Sequence, residues 1–115
     1  MNLRSLKRLD DAENACCRIQ SFLRAISFET FTNSELLRSA VERQLEIIGE
    51  ALGIAAKEDD SILELVPDIP RIVGLRNRLI HGYDSVDPEL VWDVVKTKIP
   101  PLKHQIAKAR AQSAG

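Results

Sequence analysis

Eight apolar residues near the N-terminus, Leu3, Leu6, Leu9, Ala12, Cys16, Ile19, Leu23 and Ile26, follow one another at intervals of three or four without exception. Such intervals put all eight on one stripe of an α-helix, whereas a strand alternates with period two and would scatter them over both faces. Leu9, Cys16 and Leu23 are seven apart, as are Ala12, Ile19 and Ile26. The stripe is therefore straight enough to lie along a second long helix nearly antiparallel to it. A matching stripe follows in Leu37, Val41, Leu45, Ile48, Leu52 and Ala55. Between the two, SFETFTN reads as a break in which Thr32 caps the second helix and Glu35, three residues on, reaches back to complete a capping box.

Two long stripes fix the class as all-α, and composition agrees. The chain has 115 residues, 44% of them hydrophobic, with only three Phe, one Tyr and one Trp. A core of Leu, Ile, Val and Ala suits packed helices better than a sheet, and this length builds one core, so residues 1–115 are expected to form a single domain. The expected architecture is an up-down bundle of four to five helices. The second helix, about 24 residues long by its pattern, contains Gly49 and Gly53, four apart on one face. Each costs about 1 kcal/mol relative to alanine inside a helix, a cost that close approach of a neighbouring helix would justify.

The run from Ser61 to Pro70, with prolines at 67 and 70, is a connector with at most one helical turn. Asp87, Pro88 and Glu89 mark another helix start, with Asp87 as N-cap and proline in the first turn. The stripe Leu90, Val91, Val94, Val95, Ile99, Leu102, Ile106 continues from there, but Pro100 and Pro101 must kink or break it near Lys98. The tail from Ala109 to Gly115 is expected to fray.

Formal charge is −1 with a pI near 6.1, which argues against a protein that coats nucleic acid through a global positive field. Charge is uneven, however: no acid follows Asp93, while Lys96, Lys98, Lys103, Lys108 and Arg110 do. Cys16 and Cys17 are adjacent, a poor geometry for a structural disulfide and half a zinc site at most, so reduced thiols are expected, with Cys16 a core filler. Charges interrupt the N-terminus every few residues and no run approaches about 18 apolar residues, which points to a soluble, cytoplasmic chain with no membrane span. Neither a Gly-rich phosphate loop nor paired-cysteine zinc spacing is present, so no cofactor and no metal are expected.

The chemistry concentrates in Arg71 to Tyr83, read RIVGLRNRLIHGY: three arginines, a histidine and a tyrosine with no acid among them. Pro70 suits a first helical turn and Gly82 a helix end, giving a short helix of about three turns. His81 falls in its last turn, where the negative end of the helix dipole favours a protonated imidazole, the side chain that exchanges protons near neutrality. Arg76 and His81 lie roughly 140° apart around the helix and flank a ridge, with Asn77 and Arg78 the nearer neighbours of His81. Asn77 can fix the imidazole tautomer. Arg78 can pair with Glu46 or Glu50 of the second long helix, or touch a phosphate backbone. His104 reads as surface.

Arg76, His81 and Tyr83 form the R-x4-H-x-Y signature, and the chain resembles HEPN-domain toxins of the HepT type. SAVERQLEIIGEALGIAA (39–56), GLRNRLIHGY, VDPELVWDVV and IPPLKHQI are all similar to that family, which spans nearly the whole chain. Arg71 and Asp84 depart from it, standing where members often carry aromatic residues. The resemblance implies a metal-independent endoribonuclease with Arg76 and His81 catalytic and Asn77 and Arg78 supporting, working on RNA in the cleft of a homodimer. It further implies an MNT-type nucleotidyltransferase antitoxin that attaches AMP to Tyr83. One histidine does not serve well as base and acid in the same instant, whereas two copies at a two-fold axis supply both. The other reading is a catalytically silent helical module that binds a nucleotidyltransferase or a nucleotide.

Overall fold

The computed structural model describes residues 1–81 and 86–114. Its elements are α1 (Leu3–Phe22), α2 (Phe28–Asn33), α3 (Glu35–Glu58), α4 (Ser61–Leu65), α5 (Ile69–His81), α6 (Pro88–Asp93), a π-helical turn (Val94–Lys98) and α7 (Ile99–Ala114). Among the described residues no strand occurs, and the fold is all-α, a helical bundle. α3 is its centre: α1 packs along one side of it and α5 along another, while α7 packs on α1. The molecule measures 43 × 30 × 18 Å. Its short dimension fits two layers of helices about 10 Å in diameter.

The predicted stripes form the core, with shifts at their ends. Leu9, Ala12, Cys16 and Ile19 of α1 are fully buried against Val41, Ile48, Leu52 and Ala55 of α3. Leu3 is 84% exposed, and its expected place toward the core is taken by Ser5, which is 0% exposed. Asn2 caps α1, its side chain accepting from the Ser5 backbone N–H at 2.8 Å. α1 also ends four residues before the predicted Ile26, because Ala25 adopts φ = +58° and turns the chain out of the helix. Burial sets the Cys16 thiol apart from its neighbour, pushing its pKa up from 9.0 to about 12. A cysteine held as the neutral thiol is a poor nucleophile. Alkylation of the native protein at mildly alkaline pH is therefore expected to label the exposed Cys17 and spare Cys16 until the chain is denatured, which peptide mass mapping reads directly.

Thr32 does not cap α3. The segment read as a break is itself the helix α2, capped by Ser27 accepting from Thr30 N–H at 3.1 Å, and α3 is capped by Ser34 accepting from Leu37 N–H at 3.1 Å. Tertiary packing decides this: Phe31 is fully buried, and the rings of Phe28 and Phe31 lie 5.6 and 5.3 Å from that of Trp92 on α6. Coiling α2 seats both rings on one partner, and aromatic contacts of this kind stabilise beyond their buried area.

The C-terminal prolines are absorbed by a change of helix type. An α-helix would direct the Pro100 ring at the carbonyl four residues back and lose two hydrogen bonds. Val94–Lys98 instead forms a π turn, in which Ile99 N–H bonds Val94 O, and both prolines fall in the first turn of α7, where N–H groups are not needed. The stripe Val91, Val95, Ile99, Leu102, Ile106 stays buried throughout. The expected fraying of the tail is not found: α7 runs to Ala114, with Ala109 buried and the Arg110 guanidinium paired with Glu13 and, at 3.2 Å, Asp10 of α1. Arg110 and Lys103, which donates to Gln20 Oε1 at 3.0 Å, thereby spend much of the basic C-terminal strip on holding α7 to α1. Among the described residues no helix is long and apolar enough to cross a membrane.

Candidate active site on the motif helix

α5 is a 13-residue helix, as predicted from Pro70 and the motif, and its burial pattern orients the motif. Ile69, Ile72 and Leu75 are buried, so the apolar ridge is largely consumed by packing on the chain itself; Ile80, 44% exposed, is what remains of it at the surface. Asn77, Arg78 and His81 are exposed and Arg76 is half-buried on the flank that faces α3. Gly82 and Tyr83 lie outside the described residues, so the predicted helix end and the tyrosine of the motif are not placed.

Gly49 sets the distance between α3 and α5. A β-carbon on it would stand 2.4 Å from Arg76 Cβ, closer than real contacts allow, and 3.2 Å from the Ile72 carbonyl oxygen, a tight contact. The glycine is thus the reason Arg76 can sit where it does. Gly53 is different, since its added β-carbon would meet Val73 Cγ2 at 3.4 Å, an ordinary contact. Together the two glycines open a groove of about 310 Å³ between the helices, lined also by Glu50, Lys57, Arg76 and Asn77.

Within this groove the Arg76 guanidinium donates from one terminal nitrogen to Asn77 Oδ1 at 3.1 Å, and its buried Nε has no partner among the described residues. Asn77 therefore aims the arginine; the expected use of its amide on the His81 tautomer is not what its carbonyl oxygen does here. A buried guanidinium N–H without a partner is uncommon, because leaving a polar group unpaired costs about 1–3 kcal/mol. The terminal nitrogens, in contrast, lie toward the exposed Asn77, and the planar fork they form matches a phosphate.

Arg78 is a correction to the expected pairing. It lines the groove that α5 forms with α6 and the π turn, and Glu46 pairs with Arg43 at 3.3 Å. This second groove, of about 380 Å³, is bordered by Arg71, Arg78, Lys98 and Asp93. By its position around α5, the exposed His81 belongs to the ridge between the two grooves, with Arg76 on one side and Arg78 on the other. His104 is exposed on α7, as predicted. Sequence reasoning assigned no role to Lys98 or Asp93, because what joins them to α5 is the packing of the π turn, which no local pattern announces. Among the described residues no cluster of three His, Cys, Asp or Glu is placed to hold a metal.

The fold and site together define an all-α bundle that carries an exposed histidine on a ridge between two grooves bordered by cations. Comparison with known proteins gives the family. The family model described as Ribonuclease HepT-like matches residues 12–109, and the chain belongs to that family, the HEPN-type family indicated by its motif. It is similar to the "Probable ribonuclease HepT" of Thermococcus cleftensis, with 38% identity over 104 residues, covering 89% of this chain and 92% of that one. A candidate RNase of Methanocaldococcus jannaschii is 39% identical over 87 residues, covering 74% and 77% of the two chains. Another, from Caldanaerobacter subterraneus, is 38% identical over 84 residues, covering 73% and 74%. No solved structure matches the chain.

Proposed function

We propose that this protein is a metal-independent endoribonuclease of the HepT type, acting as a homodimer that brings two copies of the motif to one cleft. The observation that carries the reading is Arg76: a guanidinium held by Asn77 and by the absence of a side chain at Gly49, in the motif of a ribonuclease family. His81 of one copy takes the proton of the substrate 2′-hydroxyl, whose oxygen attacks the adjacent phosphorus. The bond from phosphorus to the 5′-oxygen breaks, and His81 of the second copy protonates that leaving oxygen. The products are a 2′,3′-cyclic phosphate and a free 5′-hydroxyl. Arg76 stabilises the doubly charged phosphorane, and Arg78 contacts the phosphate backbone on the far side of the ridge. The purified chain, incubated with RNA in the presence of a chelator, is expected to cut internally and to sediment as a dimer. A monomer with full activity would rule out the shared cleft, and no cleavage at all would leave a silent binding module.

Regulation in this reading is by an MNT-type nucleotidyltransferase antitoxin that attaches AMP to Tyr83, two residues from His81 in sequence. The adenylate would bring a negative phosphodiester to the cationic cleft and compete with RNA for its arginines. Incubation with such a partner, ATP and magnesium should add an adenylate mass to the parent protein and none to Tyr83→Phe. An unchanged increment in the variant would locate the modification elsewhere.

A further inference from the structure

The second groove, on the side of α5 away from Arg76, is not needed by the chemistry just described, yet it has the composition of a nucleotide site. Its floor is apolar, from Ile72, Leu75, Leu90 and Val94, and its rim carries Arg71, Arg78 and Lys98 with, among the described residues, the carboxylate of Asp93. At about 380 Å³ it falls within the range of about 300–1,000 Å³ occupied by small-ligand sites.

Gly74 adds an independent observation. It stands in mid-helix on the wall of this groove, where a β-carbon would meet nothing within 4 Å. Unlike Gly49, it meets no described atom that requires a glycine, so it leaves this wall of the groove bare and open. The charge chooses among the candidates. Three cations border the groove against the one carboxylate of Asp93 among the described residues, so an anionic chain is drawn in, and a second copy seated here is the outcome that the sedimentation below detects.

We propose that this groove is a base-binding subsite for one RNA nucleotide next to the cleaved bond. The base lies on the apolar floor over Gly74, its phosphates meet Arg78, Arg71 and Lys98, and Asp93 accepts a hydrogen bond from an N–H on the base edge. RNA then crosses α5 over the His81 ridge, with the scissile phosphate at Arg76 and its neighbour in this groove. The subsite gives the enzyme a preference for the base beside the cut, since Asp93 rewards a base that presents an N–H donor. This inference rests on the ribonuclease reading for the word substrate, and its test is made independent of cleavage.

The test measures equilibrium binding of a fluorescent, uncleavable 2′-O-methyl oligoribonucleotide to the full chain and to Gly74→Leu, Lys98→Glu and the control Lys108→Glu, with sedimentation and thermal melting of each. Gly74→Leu projects an aliphatic side chain from the wall into the groove, its β-carbon meeting no described atom within 4 Å, and Lys98→Glu reverses a rim charge. Both are expected to weaken binding at least about tenfold, the scale of losing one stacked base or one well-placed phosphate contact, while Lys108→Glu on exposed α7 changes it by less than about threefold. Groove variants that bind like the parent overturn the proposal. So does a Gly74→Leu that turns dimer into monomer and loses binding only through that change, because the groove is then an interface between copies. Should the parent bind the oligonucleotide through this groove yet leave ordinary RNA uncut, the subsite stands and the ribonuclease reading falls.

Discussion

His81→Ala is expected to cut RNA about 10²–10⁴-fold more slowly than the parent, the range that a positioned general acid or base contributes, while its helical circular dichroism and melting temperature stay close to the parent's. The side chain is exposed in the last turn of α5 and supports no part of the core, so its removal opens no cavity. In a two-fold cleft the same substitution deletes both base and acid, which puts the loss toward the upper end. Arg76→Ala is expected to lose about 2.7–4 kcal/mol of transition-state stabilisation, the size of removing one preorganised donor from a developing charge. Its stability effect is less simple. The guanidinium is half-buried with Nε unpaired, so truncation both removes packing on Gly49 and relieves an unsatisfied donor. Full cleavage by either variant, assayed with a chelator present, would remove the residue from the chemistry.

The second large effect is expected at Gly49. Gly49→Val places a β-carbon within 2.4 Å of Arg76 Cβ, and because that atom is fixed to the backbone, α5 itself has to move. Overpacking of this kind costs about 1–3 kcal/mol and more where backbone must shift. For a chain of this size the melting temperature should fall by about 5–15 °C. Gly49→Ala carries the same β-carbon and the same clash with Arg76 Cβ. Its gain in helix propensity, about 1 kcal/mol, offsets only part of the overpacking, so its melting temperature also falls, by less than the valine variant's, and Arg76 is displaced, with about a hundredfold in cleavage going with a misplacement of about 1 Å. Gly53→Ala, only four residues away, should instead stabilise by about 1 kcal/mol, because its β-carbon meets Val73 at an ordinary 3.4 Å. Equal melting shifts for the two alanine variants would contradict the close approach of α5 at Gly49.

Much of the chain was legible without coordinates because helices announce themselves locally. The intervals of three and four in α1 and α3, the Asp87–Pro88 start of α6 and the 13-residue motif helix all follow from residues within a turn or two of each other, and the structure has them. The motif pointed to the family for the same reason, as a fixed spacing along one helix. What misled were ends and caps. Thr32 has the right neighbour for a capping box, yet Phe28 and Phe31 find Trp92 some 60 residues away and coil the segment into α2. The tail from Ala109 carries no local reason to stay helical, and it does so because Ala109 is buried and Arg110 reaches Asp10 and Glu13.

The sequence by itself determined the all-α class, the face each long helix buries, and the set of residues that could act on phosphate, since each depends on periodicity or residue type along one segment. Tertiary structure alone decided what those residues meet. Gly49 was visible as an oddity in a helix, but only the crossing of α3 and α5 makes it the seat of Arg76. Asn77 turned to Arg76, and Arg78 to the groove it shares with Asp93 and Lys98, because the direction of a side chain on a short helix is set by which of its faces the bundle buries. That choice is made by contacts between residues distant in sequence, and no local pattern encodes them.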